Sequence, residues 1–276
     1  MNAQFQIFEE HPKAHEDAIW CSTFDKDGHL ITGSVDETMK VWGSDYKIIS
    51  SNPHQLSIVS VAAHPKEDII ATSSMDGNIR FYSLSESKVI KVLSVGPTEL
   101  WSLAFTPDGT GIATKPFIFC IAFSDDGNYI ATSHSDGSVN IYNAKTYKLI
   151  TTIKQHNLPC RVLRFSHDST VLFTGSNDMQ INAIDLTAGG NYQLLYSLQG
   201  HMGWIFGLDI TNDGLYLATA SSDKTVKIWD LTTKTCIQTF TSSSPCWSTC
   251  FSRDGSRLVF TCEDGSFTAL IRKSTN

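Results

Sequence analysis

The sequence of 276 residues has no hydrophobic run long enough to cross a membrane. Its longest apolar stretch, residues 116–123, is far shorter than the roughly 20 residues that a bilayer requires. The first ten residues, MNAQFQIFEE, lack the basic segment followed by an apolar one that marks a secretory leader. We therefore expect a protein of the cytoplasm and nucleus with no membrane partner.

Positive charge is also scarce. The chain has 21 Lys and Arg against 28 Asp and Glu, for a net charge of −7, and its basic residues are not clustered. Because binding to a phosphate backbone requires clustered cations, we expect no direct contact with nucleic acid.

Cysteine pairs with the spacing of metal or redox motifs are missing. The seven cysteines include no C-x-x-C pair, and in a reducing compartment such residues usually act as small buried apolar groups. Cys246, Cys250 and Cys262 leave a zinc site open as an alternative, although zinc ligands usually come in more closely spaced pairs.

Signatures of catalysis are absent as well. There is no G-x-S-x-G, no glycine-rich phosphate loop and no H-E-x-x-H. A Ser-x-Asp pair does recur, beginning at Ser34, Ser74, Ser176 and Ser221, but a catalytic constellation is a single convergent cluster. The repetition therefore indicates structure, and we expect a protein that is not an enzyme and uses no cofactor, metal or small-molecule substrate.

What the sequence does contain is a repeated unit. Two apolar stretches, an S-x-D turn and a third apolar stretch recur, and the turn aspartates are Asp36, Asp76, Asp136, Asp178, Asp223 and Asp264. The intervals between them are 40, 60, 42, 45 and 41 residues, so one interval is longer by about half a unit. Short β-branched and aromatic runs bounded by Asp-Gly turns are typical of strands. Four such strands in about 42 residues indicate the blade of a β-propeller.

The long interval, between Asp76 and Asp136, contains the first strand of one additional unit. The first strands of the units are predicted to end at Phe24, Ala63, Phe105, Phe123, Phe165, Ile210 and Phe251. Only 18 residues separate Phe105 from Phe123, against 42 between Phe123 and Phe165, so about 24 residues are lacking. Loss of two antiparallel strands preserves chain direction, so residues 114–117 can join the neighbouring units directly. We therefore predict seven positions with a two-stranded third blade; a shortened transcript or a mis-joined gene model is the alternative origin of the gap.

The last unit lacks its fourth strand. Its third strand is predicted over residues 267–272, and residues 4–8 (QFQIF) alternate polar and apolar side chains as a strand should. We predict that this N-terminal segment completes the last blade, so that residues 1–276 form a single propeller domain without an open edge at the closure.

Three short motifs resemble the signature of the WD-repeat (WD40) family: Gly200-His201, Ser221-Ser222-Asp223 and Ile228-Trp229-Asp230. The resemblance implies an all-β WD40 propeller, here with seven positions. It also implies that a His, a Ser or Thr, an Asp and a Trp form a hydrogen-bonded chain across a blade. Mapped onto this sequence, those chains are His15–Ser34–Asp36–Trp42 and His201–Ser221–Asp223–Trp229, whereas the blade of His54, Ser74 and Asp76 has Tyr82 in place of Trp.

One position near the start of each first strand is unusually aromatic. Four residues before the strand ends stand Trp20, Val59, Trp101, Phe119, Arg161, Phe206 and Trp247, and Trp204 adds an indole nearby. First strands line the central channel of a propeller, and Trp and Arg dominate binding hot spots. We predict that these residues bind a partner at the channel mouth; packing into the blade cores is the alternative. A peptide with one or two apolar side chains and a basic one, attracted by Asp17 and Glu99, would suit such a site.

Three longer segments resemble one particular subgroup of WD-repeat proteins. Residues 15–20 (HEDAIW), 54–61 (HQLSIVSV) and 96–105 (GPTELWSLAF) are similar to the WD-repeat subunit of the superkiller (Ski) complex, which animals share with the RNA polymerase II-associated factor (PAF) complex. This implies a non-catalytic adaptor that docks a short motif of a tetratricopeptide-repeat scaffold, alongside a helicase, in exosome-linked cytoplasmic mRNA decay. In the nucleus it implies a role in transcription elongation and histone modification. The alternative is a WD-repeat substrate receptor or a signalling scaffold with a different partner.

Overall fold

Antiparallel sheets arranged as the blades of a propeller make up the protein. The structure, a computed structural model, describes residues 4–96, 100–115, 117–187 and 191–273. Within those ranges no helix is long and apolar enough to cross a membrane. The first strand of every repeat ends at the residue that the sequence predicted, from Phe24 to Phe251.

Six sheets have four strands each, and consecutive strands pair from the channel outward. Blade 1 has β2 (Ile19–Phe24), β3 (Leu30–Ser34), β4 (Thr38–Trp42) and β5 (Ile48–Pro53). Blade 2 has β6 (Ile58–Ala63), β7 (Ile69–Ser74), β8 (Asn78–Ser83) and β9 (Lys88–Ser94). Blade 3 has β12 (Cys120–Phe123), β13 (Tyr129–Ser133), β14 (Ser138–Asn143) and β15 (Leu149–Lys154).

The remaining blades follow the same order. Blade 4 has β16 (Cys160–Phe165), β17 (Val171–Ser176), β18 (Ile181–Asp185) and β19 (Leu194–Leu198). Blade 5 has β20 (Ile205–Ile210), β21 (Tyr216–Ser221), β22 (Thr225–Asp230) and β23 (Thr235–Thr241). Blade 6 has β24 (Cys246–Phe251), β25 (Arg257–Cys262) and β26 (Phe267–Lys273), and its outer strand is β1 (Gln4–His11).

The N-terminal strand closes the ring, as its alternating pattern predicted. β1 pairs antiparallel with β26 from Gln4–Lys273 to His11–Phe267. Phe5 is buried among side chains of blades 5 and 6. The side-chain amide of Gln238 also accepts a hydrogen bond from the Phe5 backbone N–H at 2.7 Å and donates one to the Phe5 carbonyl at 2.9 Å. The closing strand is therefore attached to two blades.

The predicted seven-position ring with a two-stranded third blade is wrong, because the described residues form six four-stranded blades. Between blades 2 and 3 the described residues form a hairpin of two-residue strands, β10 (Ala104–Phe105) and β11 (Ile112–Ala113), in place of a blade. Sequence counting identified a blade from its first strand, and a hairpin insertion has the same local pattern. The predicted linker 114–117 follows β11, and residue 116 lies outside the described ranges.

The hydrophobic core consists of layers between neighbouring sheets. Blades 1 and 2 share a layer that contains Ile31, Val41 and Ile58, and blades 4 and 5 share one built around Trp229. The hairpin continues this pattern, since Phe105 and Ile112 pack toward blade 2 while Ala104 and Ala113 pack toward blade 3. The inner strands thus remain close enough to enclose a channel.

Candidate functional site

The predicted channel-mouth residues occupy special backbone positions. In five of the six blades the register between the first two strands shifts at the predicted residue, which is left without a partner opposite it: Trp20, Val59, Arg161, Phe206 and Trp247. Such β-bulges bend a strand and re-aim a side chain. In blade 3, Phe119 directly precedes β12 and its N–H donates to the Ser133 carbonyl at 3.1 Å. The bulges are a feature that the sequence pattern did not reveal.

These side chains meet in one cavity of about 220 Å³, lined by Trp20, Val59, Trp101, Phe119, Arg161, Phe206 and Trp247. All seven are half-buried, so they are neither sealed in the blade cores nor fully in solvent. The rings contact one another around the opening: Phe206 stacks on Trp247 with centroids 4.2 Å apart and planes at 7°. Trp20 lies 5.9 Å from Trp247 and 6.3 Å from Trp101.

Trp204 differs from the other predicted residues. Its side chain is 47% exposed, and it contacts Phe206 and Arg161 at the outer side of the cavity without lining it. The structure therefore brings seven of the eight predicted partner-binding residues into the cavity and places the eighth at its rim. Partner binding by this set stays a prediction.

Arg161 is the charged member of the cavity lining. Its guanidinium lies 4.5 Å from the Phe119 ring centroid and 5.9 Å from that of Phe206, and cations are attracted to aromatic faces at such distances. The Nε–H donates to Asn177 Oδ1 at 3.1 Å, which fixes the direction of the side chain. Burial lowers the pKa of Arg161 from its ordinary value.

Asp17, one of the two acidic residues expected to attract a basic ligand, does not line this cavity. Asp17 is exposed, and its carboxylate accepts the N–H of Ala18 at 2.7 Å within its own turn. Glu99 lies outside the described residues. In the part of the chain that the structure describes, the lining carries one positive charge and no negative one.

The opposite mouth of the channel is polar. A cavity of about 310 Å³ there is lined by charged residues that include Arg164, His167 and Arg253. Arg164 Nε lies 3.0 Å from Asp209 Oδ1, and the charge of Asp209 raises the Arg164 pKa. His167 Nδ1 donates to Asp125 at 2.6 Å, which raises the His167 pKa. Arg164 and His167 are thus paired within the protein.

The hydrogen-bonded chains predicted across blades 1 and 5 exist, but with a different hydroxyl. Trp42 Nε1 donates to Thr32 Oγ1 at 2.9 Å, the Thr32 hydroxyl lies 2.7 Å from His15 Nε2, and His15 Nδ1 donates to Asp36 at 2.8 Å. The predicted Ser34 instead donates to the Ala18 carbonyl and accepts the Asp36 N–H. Ser34, the last residue of β3, therefore supports the turn that follows the strand, and Thr32 is the link.

Blade 5 repeats this arrangement. Trp229 Nε1 donates to Thr219 Oγ1 at 2.9 Å, Thr219 Oγ1 lies 2.8 Å from His201 Nε2, and His201 Nδ1 donates to Asp223 at 2.8 Å. The predicted Ser221 accepts the Asp223 N–H at 3.1 Å and does not join the chain. Burial would raise the pKa of Asp223, but the hydrogen bonds from His201 and Thr225 hold it well below its usual range.

Two further blades carry partial versions. In blade 4, His156 bonds to Thr174 at 2.7 Å and to Asp178 at 2.9 Å, a chain that sequence reasoning missed because Ile184 stands where Trp was expected. In blade 2, Asp76 pairs with Arg80 at 2.5 Å. His54 there bonds to Thr72 at 2.8 Å and to the Asn52 carbonyl at 3.3 Å, and burial, with the Arg80 charge, lowers the His54 pKa to about 4.

The cysteines considered as zinc ligands lie on the two inner strands of blade 6. Cys246 and Cys262 face each other with sulfurs 3.7 Å apart, while Cys250 contacts Ser22 of blade 1 at 3.4 Å. Burial raises the pKa of Cys250 to about 12. Within the described ranges no group of three potential metal ligands comes together.

Comparison with known proteins agrees with the fold. The family pattern described as "WD domain, G-beta repeat" matches residues 6–43, 46–83, 114–143, 147–185, 192–230 and 234–267. WD repeat-containing protein VIP3 of Arabidopsis thaliana is 33% identical over 59% of this chain. WD repeat-containing protein SL1-17 of Schistosoma mansoni is 28% identical over 79% of it, and human striatin is 25% identical over 83%.

The matched stretches cover 65% of VIP3, 68% of SL1-17 and 30% of striatin. The match to the repeat family, in contrast, extends over most of the chain, and its six repeats equal in number the six four-stranded blades of the described residues. The chain therefore belongs to the WD40 (WD domain, G-beta repeat) family.

Proposed function

We propose that this protein is a non-catalytic adaptor that binds a short peptide segment of a protein partner in the cavity at the channel mouth. The observation that carries the proposal is the cavity itself, in which bulged strands direct Trp20, Phe206, Trp247 and their neighbours into one half-buried ring. Ordinary blade packing does not need an indole held partly open to solvent, and exposed apolar clusters usually mark partner sites.

The dimensions of the cavity limit its ligand. A volume of about 220 Å³ accommodates one or two large side chains rather than a folded domain. A linear motif that inserts an apolar anchor while its backbone crosses the propeller face would use this space and leave the blades unchanged. Rigid aromatic walls reduce the loss of conformational entropy on binding.

The partner we propose is the tetratricopeptide-repeat scaffold of a superkiller-type complex, which also carries a helicase, with PAF complex subunits as nuclear partners. The sequence similarity of residues 15–20, 54–61 and 96–105 to that WD-repeat subunit supports this choice. The adaptor would then serve exosome-linked mRNA decay in the cytoplasm and transcription elongation in the nucleus. Affinity purification with mass spectrometry tests the choice, because recovery of only ubiquitin-ligase or signalling subunits would favour the alternative adaptor class.

Truncation of the indoles tests the site. Trp101→Ala or Trp247→Ala should weaken binding to the scaffold by roughly 2 kcal/mol or more, as expected for a hot spot, while the thermal midpoint stays nearly unchanged. Tyr147→Ala is the matched control, since Tyr147 is 73% exposed in a turn between the two outer strands of blade 3. Unchanged pull-down with both Trp variants would show that the cavity is not the docking site.

A further inference from the structure

The half-buried arginines other than Arg161 are held through an oxygen atom that accepts from a terminal guanidinium nitrogen; Arg257, which like Arg161 has no carboxylate partner among the described residues, donates Nη2 to the Gly28 carbonyl at 2.8 Å. Arg80 lies 2.5 Å from Asp76 and Arg272 lies 2.7 Å from Asp213. Among the residues that the structure describes, Arg161 has no carboxylate within 4.0 Å. Its polar contact is the neutral amide of Asn177 at 3.1 Å, and its other neighbours are rings.

The side chain is nevertheless held in place. It is the unpaired residue of the blade 4 bulge, its Nε is tied to Asn177, and Phe119, Trp204 and Phe206 surround the guanidinium. The one bond uses Nε and leaves the two terminal nitrogens for another acceptor. A guanidinium presents these nitrogens as a rigid fork that matches the two oxygens of a carboxylate.

Partial burial makes such an acceptor valuable. A cation that is partly removed from water without a counter-charge is unfavourable, and burial accordingly lowers the Arg161 pKa. An anionic oxygen of a ligand would replace the water that the guanidinium has lost. The attraction would be strong because the surrounding rings exclude water from the site. A basic ligand group would instead be repelled at this point of the cavity.

We propose that the docking peptide carries an Asp or Glu side chain that binds Arg161, next to an apolar side chain that enters the ring of Trp20, Trp101 and Trp247. This inference rests on the proposed function, because it assumes that the cavity binds a peptide. It replaces the basic side chain that the sequence led us to expect. In this arrangement Arg161 selects peptides with a negative charge, and the indoles make most of the apolar contact with the peptide.

Peptide display followed by a matched peptide pair tests the inference. A random dodecapeptide library is selected for binding to the full chain. The peptides are displayed with their C-termini fused, so that no free terminal carboxylate competes for Arg161. Clones that lose binding to Trp247→Ala should carry Asp or Glu beside an apolar residue. A synthetic peptide from this set and its Glu→Gln counterpart are then compared by fluorescence anisotropy.

The expected pattern is specific to one arginine. With the wild-type protein the Glu→Gln change should weaken binding about tenfold, as for loss of a charge-assisted bidentate contact. With Arg161→Gln the same Glu→Gln change in the peptide should weaken binding by less than about twofold, because the positive charge that pairs with the glutamate has already been removed. Arg253→Gln removes an equal charge at the exposed opposite mouth and should behave like wild type.

The failures of the two proposals are distinguishable. Selected peptides that need Trp247 but are neutral or basic, or an equal Glu→Gln loss in Arg161→Gln, would overturn the carboxylate inference and leave the docking site standing. If no selected peptide depends on Trp101 or Trp247, the proposed function fails and the inference fails with it.

Discussion

Removing one hydroxyl from blade 5 tests how the hydrogen-bonded chains stabilise the propeller. Thr219 is fully buried and contacts both His201 Nε2 and Trp229 Nε1. Valine would keep the shape of the side chain but leave both groups buried without a partner. An unsatisfied buried polar group costs about 1–3 kcal/mol, so Thr219→Val should lower the free energy of unfolding by about 3 kcal/mol.

Two variants calibrate that value. Thr249 is also buried, and its hydroxyl has no hydrogen-bond partner in the described part of the chain, so Thr249→Val should change stability by less than about 0.5 kcal/mol or increase it. Ser221→Ala removes one bond to the Asp223 N–H and should cost about 1 kcal/mol. If the hydrogen-bonded chain passes through Thr219, Thr219→Val should lose the most stability of the three variants. If it passed through Ser221, as the sequence predicted, Ser221→Ala should lose the most.

Urea unfolding followed by far-UV circular dichroism supplies the measurement, with the slope against urea unchanged if the same surface is exposed. A double-mutant cycle with Trp229→Phe should show coupling between Thr219 and Trp229, since the two groups share a bond. Equal losses in Thr219→Val and Thr249→Val, or a larger loss in Ser221→Ala, would refute the reasoning.

Three other predictions concern stability and exchange. His54 has a folded pKa of about 4, lowered by burial and the Arg80 charge, so its neutral form favours folding above pH 6.5. That contribution should be lost as the pH falls from about 6.5 to 4, by roughly 3 kcal/mol at most, and His54→Gln should flatten the stability profile measured over this range; an unchanged profile would contradict the assignment. Phe5→Ala, which removes a buried ring from the closing strand, should lower the free energy of unfolding by about 3–5 kcal/mol, and a loss below about 1 kcal/mol in urea unfolding would count against its closing role. Backbone hydrogen exchange should be fastest between Asp108 and Lys115, because the two-residue strands there pair at only two positions; protection equal to that of the blades would argue otherwise.

The sequence predicted the repeated architecture well because each blade contains its own strand and turn signals. The ends of the inner strands and the closing strand β1 follow from local alternation and from the period, which do not depend on distant contacts. Blade number was not predictable in the same way. The pattern around Phe105 is that of an inner strand, but whether further strands pair outside it depends on residues that the local pattern does not specify.

The sequence predicted which residues line the candidate site, but it did not predict the backbone features that direct their side chains into it. Counting back from the strand ends located the cavity lining, since equivalent positions in a repeat occupy equivalent places in a ring. The bulges that direct Trp20 and Trp247 inward depend on pairing register, which a single sequence does not show. The choice of Thr32 over Ser34 has the same origin, because both hydroxyls lie on one strand and only three-dimensional geometry decides which one reaches the indole.

The pairing of β1 with β26 has a consequence for synthesis on the ribosome. Among the described strands β1 is synthesised before all others and its partner β26 after all others, since Gln4 pairs with Lys273. Bringing such distant segments together costs about 5 kcal/mol of loop-closure entropy, which the joined sheet must offset in one late step. While the nascent chain emerges, five blades can assemble but the sixth stays incomplete, and β1 remains an unpaired, aggregation-prone edge until translation passes β26.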